Sequence, residues 1–135
     1  MKVLQFAFDS RDGNNYLPHN YPKNCVVYTG THDNDTISGW LETVKPDDLE
    51  FAKKYLHAKS GEIREELIIS AMSSVANICI LTMQDLIGLG SEGRINTPST
   101  LGGNWMWRAK RDAVTEEIKK NLLDYTQIYE RKRRV

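Results

Sequence analysis

At 135 residues the chain holds at most one small domain, and its 18 acidic side chains cancel its 18 basic ones, leaving no bulk charge to attract nucleic acid or a membrane. A hydrophobic share of 40% beside 27% charged residues excludes disorder, collagen and coiled coil as the main architecture. No apolar run approaches the roughly 18 residues of a membrane-spanning helix. Cys25 and Cys79 lie far apart in apolar surroundings and read as free buried thiols of a reducing compartment, not as a disulfide framework.

Met1-Lys2 leads directly into Val3–Phe8, an apolar run broken only by Gln5. The run is too short for the hydrophobic region of a signal peptide, and no small-residue cleavage site follows it. It is expected to be a strand buried on both faces, and a chain that opens in such a strand is expected to lack a preceding part. Residues 9–24 carry Asp, Asn, Gly, Pro18 and Pro22 and read as a long loop. Cys25-Val26-Val27-Tyr28-Thr29 is a second short strand, rich in β-branched residues. Pro46 suits a first helical position, with Asp47, Asp48 and Glu50 in the opening turn and Leu49, Ala52, Tyr55 and Leu56 on one face. Ser60 is expected to cap the next helix, in which Ile63, Leu67, Ala71 and Val75 recur every four residues. Ile78–Thr82 is a third apolar strand, and residues 88–104 a second long loop. The last helix has Thr115 as its N-cap and an apolar stripe of Ile118, Leu122, Tyr125 and Tyr129. The basic run Arg131-Lys132-Arg133-Arg134 reads as a solvated helix end, since no aromatic residues interleave it as in a nucleic-acid site.

Buried-type strands alternating with helices predict a parallel sheet. Three such strands alone would leave two bare edges and few helices to cover their faces. The chain is therefore expected to associate with something or to belong to a larger closed sheet. Parallel strands followed by long polar loops are what a (β/α)8 barrel shows at its active-site end.

The densest polar cluster is Thr29-Gly30-Thr31-His32-Asp33-Asn34-Asp35-Thr36, just past the C-terminal end of the second strand. Ligands bind at that end in parallel α/β folds, and the cluster could grip a polyol, with Asp33 stabilising a developing positive charge. It could equally be a turn in which Asp and Asn cap their own backbone. A metal held by His32, Asp33 and Asp35 is a weaker reading, because no ligand spacing is recognisable. In the second cluster, Gln84-Asp85 and Leu89–Pro98, Arg94 and Glu92 are expected to pair with each other or with Asp85, and the glycines do not form a phosphate loop. In the third, Gly102–Arg108, Trp105 and Trp107 could form a sugar platform but more often such residues plug a domain edge. His19 and His57 read as structural or solvated.

These clusters together resemble the 4-alpha-glucanotransferases (amylomaltase or disproportionating enzyme, glycoside hydrolase family 77). The resemblance is carried by Met1–Phe6, Tyr16–Tyr21, Val27–Thr36, Gln84-Asp85, Gly88–Gly90, Arg94–Pro98 and Gly103–Arg108, in the family's order and over most of the chain. It implies a C-terminal part, residues 1–135, of a (β/α)8 barrel, with the three strands as about the sixth to eighth and no complete independent domain. It implies transfer of 1,4-alpha-glucan segments between maltodextrins by a retaining double displacement, with no cofactor and no metal. Asp33 is then the aspartate that steadies the transition state, and His32, Asn96 and Asn104 bind substrate. The family's nucleophile and acid/base belong after earlier strands, outside this chain. Retention needs two carboxyl groups about 5–5.5 Å apart across the bond, which Asp33 and Asp35 on one loop do not offer. The chain alone is therefore expected to be inactive. Its expected partners are an alpha-1,4-glucan and the rest of the barrel, not nucleic acid or membrane. Two other readings stand beside this one: a non-catalytic glucan-binding or assembly module, and an unrelated small α/β domain.

Overall fold

The computed structural model describes residues 1–9, 13–59 and 61–132. Three short strands, β1 (Lys2–Val3), β2 (Val26–Tyr28) and β3 (Ile78–Ile80), form a parallel sheet in the order β1-β2-β3. Val3 pairs with Tyr28, and Val27 with Cys79. Five α-helices accompany them: α1 (Ile37–Thr43), α2 (Pro46–Leu56), α3 (Ile63–Ser73), α4 (Met83–Ile87) and α5 (Glu116–Ile128). The α/β class and the parallel sheet expected from the alternation of strands and helices are both present.

The first expected strand is the main correction. Pairing stops at Val3, and Leu4–Phe8 winds into a 3-10 helix. Leu4, Gln5, Ala7 and Phe8 are buried, while Phe6 is 41% exposed and meets the Tyr16 ring edge-on at 5.4 Å. An apolar run with no period does not separate a buried strand from a buried helical turn. The long loop behind it contains two further 3-10 turns, Gly13–Tyr16 and Pro18–Asn20.

α2 begins at Pro46, as expected, and buries Ala52 and Leu56. α3 buries Ile63, Leu67, Ile68, Ala71 and Met72. It is preceded by Glu62; Ser60, the expected cap, lies outside the described residues. Thr115 does cap α5, accepting a hydrogen bond from the Ile118 N–H. α1, directly after the 29–36 cluster, and α4, around Gln84-Asp85, are short helices not expected from the sequence. Each is started by a threonine, Thr36 or Thr82, whose hydroxyl accepts a backbone N–H in the first turn.

The core lies on one face of the sheet, where Val27 packs with Leu4, Phe8, Ile37, Ala52, Leu67 and Ala71. The other face is open: Ile78 is 52% exposed and Ile80 42%. A parallel sheet normally has both faces covered. Cys25 and Cys79 are free thiols and are half-buried, less enclosed than the sequence suggested. The basic run is not simply solvated. Arg131 donates to the carbonyls of Met72, Ser74 and Ala76 at the end of α3. Arg133 and Arg134 lie outside the described residues.

Candidate functional site

The segment 29–36 leaves the C-terminal end of β2 and runs into α1. Its shape is set partly by its own side chains. Asn34 Oδ1 accepts from both the backbone N–H (2.9 Å) and the hydroxyl (2.8 Å) of Thr31, and this tight turn presents His32 and Asp33 at its tip. The turn-capping reading of the cluster and the site reading are thus compatible: the caps build the tip.

Three other parts of the chain hold the segment from outside. Gln5, after β1, donates to the Asp35 carbonyl at 2.8 Å. It passes against Gly30, where a Cβ would lie 2.9 Å from its amide nitrogen, so a side chain there would push the Gln5 amide from its place. Ser91, after α4, donates to the Asp35 carboxylate at 2.6 Å, and that carboxylate also accepts the Thr36 N–H at 2.7 Å. Asp85 of α4 is 1% exposed and accepts from the Thr29 hydroxyl and the Ile37 N–H, both at 2.7 Å.

The second half of the site is the segment 94–97, from the loop after β3. The Asn96 N–H donates to the His32 carbonyl at 3.1 Å, and the Asn96 amide donates to Asp33 Oδ1 at 2.7 Å. Arg94 donates to the Asp33 carbonyl at 2.8 Å and to the Asn96 carbonyl at 2.9 Å. The guanidinium thus ties the two halves of the site together through main-chain oxygens. His32 Nε2 lies 3.4 Å from Asp33 Oδ1, and both side chains are about half exposed (50% and 51%). The indole of Trp105 lies against the His32 ring, 4.9 Å between centroids and tilted 40°. Trp105 adopts φ 63°, a left-handed conformation uncommon for a bulky residue, and its N–H donates to Ile95 at 2.7 Å.

Asp33 stands between two open clefts. One, of about 610 Å³, runs past Phe6, Trp40 and Arg94; the other, of about 470 Å³, past Tyr28, His32 and Ile80 on the uncovered face of the sheet. A carboxylate fixed by one amide and half open to solvent can accept hydrogen bonds from ligand hydroxyls and oppose a positive charge forming beside it.

Of the site residues expected from the sequence, His32, Asp33 and Asn96 come together. Asn104 does not reach Asp33: it accepts the Thr97 N–H at 2.9 Å and donates to the Thr100 hydroxyl at 3.0 Å, bracing its own loop. The expected pairing among Asp85, Glu92 and Arg94 is absent. Asp85 faces Thr29 and Ile37, Glu92 accepts the Gly90 N–H, and Arg94 serves the site's backbone. Trp105 is 56% exposed beside His32 and does not plug an edge. His19 meets the Tyr55 hydroxyl at 2.9 Å, and His57 ends α2 in a left-handed turn. Asp35 is held by Ser91, and among the described residues no three His, Cys, Asp or Glu side chains converge as a metal site would require. Among the described residues, no helix is long and apolar enough to cross a membrane.

Sequence reasoning gave Gln5 no role in the site, and it named Asp85 and Arg94 but assigned them the wrong partners. The signal for Gln5 was its polarity within an otherwise apolar run, since a buried amide must find a partner. For Asp85 and Arg94 the partners come from distant segments, which no local pattern displays.

Comparison with known proteins bears on what this site belongs to. The profile of the 4-alpha-glucanotransferase family matches residues 1–115. A 4-alpha-glucanotransferase of Clostridium butyricum is 50% identical over 133 residues, covering 97% of this chain and 27% of that protein. One from Synechocystis is 47% identical over 134 residues, covering 98% and 26%. Among solved structures, an amylomaltase from Streptococcus agalactiae in complex with acarbose superimposes with a TM-score of 0.90 at 37% identity, covering 96% of this chain and 27% of that one. The chain thus spans about a quarter of the length of these relatives. With that profile match, and with the ordered motifs that build the site, the chain belongs to the 4-alpha-glucanotransferase family, glycoside hydrolase family 77.

Proposed function

We propose that residues 1–135 are one continuous portion of a (β/α)8 glucanotransferase barrel, its sixth to eighth strands with their helices and no independent domain. In this reading the chain carries the aspartate that steadies the transition state of 1,4-alpha-glucan transfer. The observation that supports it best is the joint at Asp33. A half-exposed carboxylate is held by Asn96 and flanked by His32, beyond the C-terminal ends of two parallel strands, between two open clefts.

The chemistry follows from that geometry. In a retaining transfer the sugar ring flattens and gains positive charge as the glycosidic bond breaks. Asp33 accepts hydrogen bonds from hydroxyls of that sugar, and these strengthen as the hydroxyls become more acidic in the transition state. Asn96 keeps the carboxylate from rotating away, at no cost in reorganisation. His32 binds the same sugar, with Trp105 limiting its tilt. Asn104 shapes the 97–104 loop that walls the groove. The nucleophile and acid/base come from the remaining barrel, so the chain alone turns over no glucan. The half-buried free thiols suit a whole protein working on soluble maltodextrins in the cytoplasm.

The test is a segment exchange. This chain replaces the matching part of the clostridial relative, and disproportionation of maltotriose is assayed. The exchanged enzyme is expected to be active, and Asp33→Asn within it to lower kcat by about 10²–10³-fold or more while the melting curve is kept. Near-normal turnover in Asp33→Asn sinks the role given to Asp33. A second reading, a glucan-binding module without chemistry, is favoured by the exposed Trp105 against His32. Titration of the chain alone with maltoheptaose, followed by tryptophan fluorescence, separates the two. Saturable binding supports the module, and no response supports the barrel portion.

A further inference from the structure

We propose that Asp85 is a positioning residue for the Asp33 site, a role that rests on the glucanotransferase reading above. The segment that carries His32 and Asp33 begins at Thr29 and ends at Ile37, and one carboxylate bonds both ends. Asp85 Oδ2 accepts the Thr29 hydroxyl and Oδ1 the Ile37 N–H, each at 2.7 Å. The Ile37 N–H opens α1, so without Asp85 it would be a buried, unpaired helix-terminal donor.

Asp85 is itself buried and its own backbone is held at two points. Its N–H donates to the Thr82 hydroxyl at 3.3 Å, its carbonyl accepts from Arg64 of α3 at 2.8 Å, and its residue is 1% exposed. The same helix α4 leads through Ser91 to Arg94 and Asn96, which reach Asp33 from the other side. One buried side chain therefore sets the distance between the two halves that meet at Asp33. Ile37 belongs to the buried core, whereas His32 and Asp33 at the tip of the segment are about half exposed, so loosening is expected to be felt first at the tip and its bond to Asn96.

The substitutions follow from the bonding. Asn at position 85 can offer its carbonyl oxygen to the Ile37 N–H and its NH2 to the Thr29 oxygen, whose hydroxyl rotates. Leu fills the space and accepts from neither. Hydrogen exchange of the full chain, read by peptide, compares Asp85→Leu, Asp85→Asn and Thr29→Val with the parent. Asp85→Leu is expected to speed exchange over 30–37 and 94–96 by about tenfold or more, with α2 and α3 unchanged, and Asp85→Asn to stay within about threefold of the parent. Where Asp85→Leu fails to fold, Thr29→Val, which keeps the Ile37 bond, carries the test with a smaller change in the same peptides. In the exchanged enzyme, Asp85→Leu or Thr29→Val is expected to lower kcat far more than it raises KM, and Asp85→Asn to recover most of it. Exchange that rises equally in α2 and α3, exchange that does not change, or local loosening with kcat intact would each overturn the proposal. If the exchanged parent enzyme is itself inactive, the glucanotransferase reading fails, and the exchange pattern still decides what Asp85 positions.

Discussion

Around Asp33 the polar side chains nearly all work by fixing backbone. Gln5 holds the Asp35 carbonyl, Arg94 the carbonyls of Asp33 and Asn96, and Asp85 the amide of Ile37. Each is a buried or half-buried group that would cost about 1–3 kcal/mol if left without its partner, so the loop has one low-energy shape. A single titrating residue gives a further prediction. Burial pushes the Cys79 thiol up to about 11 from its ordinary 9.0, with Arg131 pulling partly the other way. The folded chain therefore holds this proton to higher pH than the unfolded chain does. The sign follows: the contribution is whole below pH 9.0 and is lost as pH rises through about 11. Burial raises Tyr21 and, with help from Glu65, Tyr125, which extends the loss to still higher pH. Melting temperatures are expected to fall between these two pH values, and Cys79→Ala to flatten the fall. An equal slope in the variant would count against Cys79 as its source.

At the scale of elements, helix ends decide more than helix interiors. α3 buries Ile63, Leu67 and Ala71 at the expected four-residue spacing, but it stops at Ser73, so Val75, the next of the series, is 58% exposed, and the helix C-terminus is closed by a residue that follows α5. Arg131 donates to Met72 at 2.5 Å, Ser74 at 2.8 Å and Ala76 at 3.0 Å. A cation at a helix C-terminus also meets the favourable end of the helix dipole. Arg131→Ala is expected to lower stability by about 1–3 kcal/mol in urea denaturation. Arg131→Lys is expected to restore only part of it, since an ammonium cannot span three carbonyls as the planar guanidinium does. Full recovery with Lys would reduce the clamp to simple charge. α1 was illegible for a related reason. It is seven residues long, with Gly39 inside it, where a Cβ would come within 2.6 Å of the Asp35 carboxylate. Its stability comes from Thr36, Asp85 and the burial of Ile37, not from helix propensity.

For the molecule as a whole, the open face of the sheet is the dominant feature. The helices cover the Val27 side, while Ile78 and Ile80 face solvent. Exposed apolar strands beside unpaired edges promote association between copies. The isolated chain is expected to associate with rising concentration in sedimentation, and Ile78→Thr with Ile80→Thr to reduce this. If the paired variant associates as strongly as the parent, the open face is not the contact. If the proposed barrel reading holds, the same face is covered in the exchanged enzyme, and there the two substitutions are expected to lower stability instead.

Alternating apolar strands and helices determined the α/β class, the parallel sheet, α2, α3 and α5, because periodicity and end signals are local properties. The ordered motifs also determined the family, and they named His32, Asp33, Asn96 and Asn104 as candidate site residues. Only the tertiary structure decided that Leu4–Phe8 is a helical turn, that Arg94 binds backbone and not Glu92, that Asn104 braces its own loop, and that Asp85 spans the ends of the site segment. Asn104 finds its partners four and seven residues away, whereas Gln5, Arg94 and Asp85 each reach a partner tens of residues away. A buried polar group announces that it needs such a partner, but its own neighbours in sequence do not say which one it has.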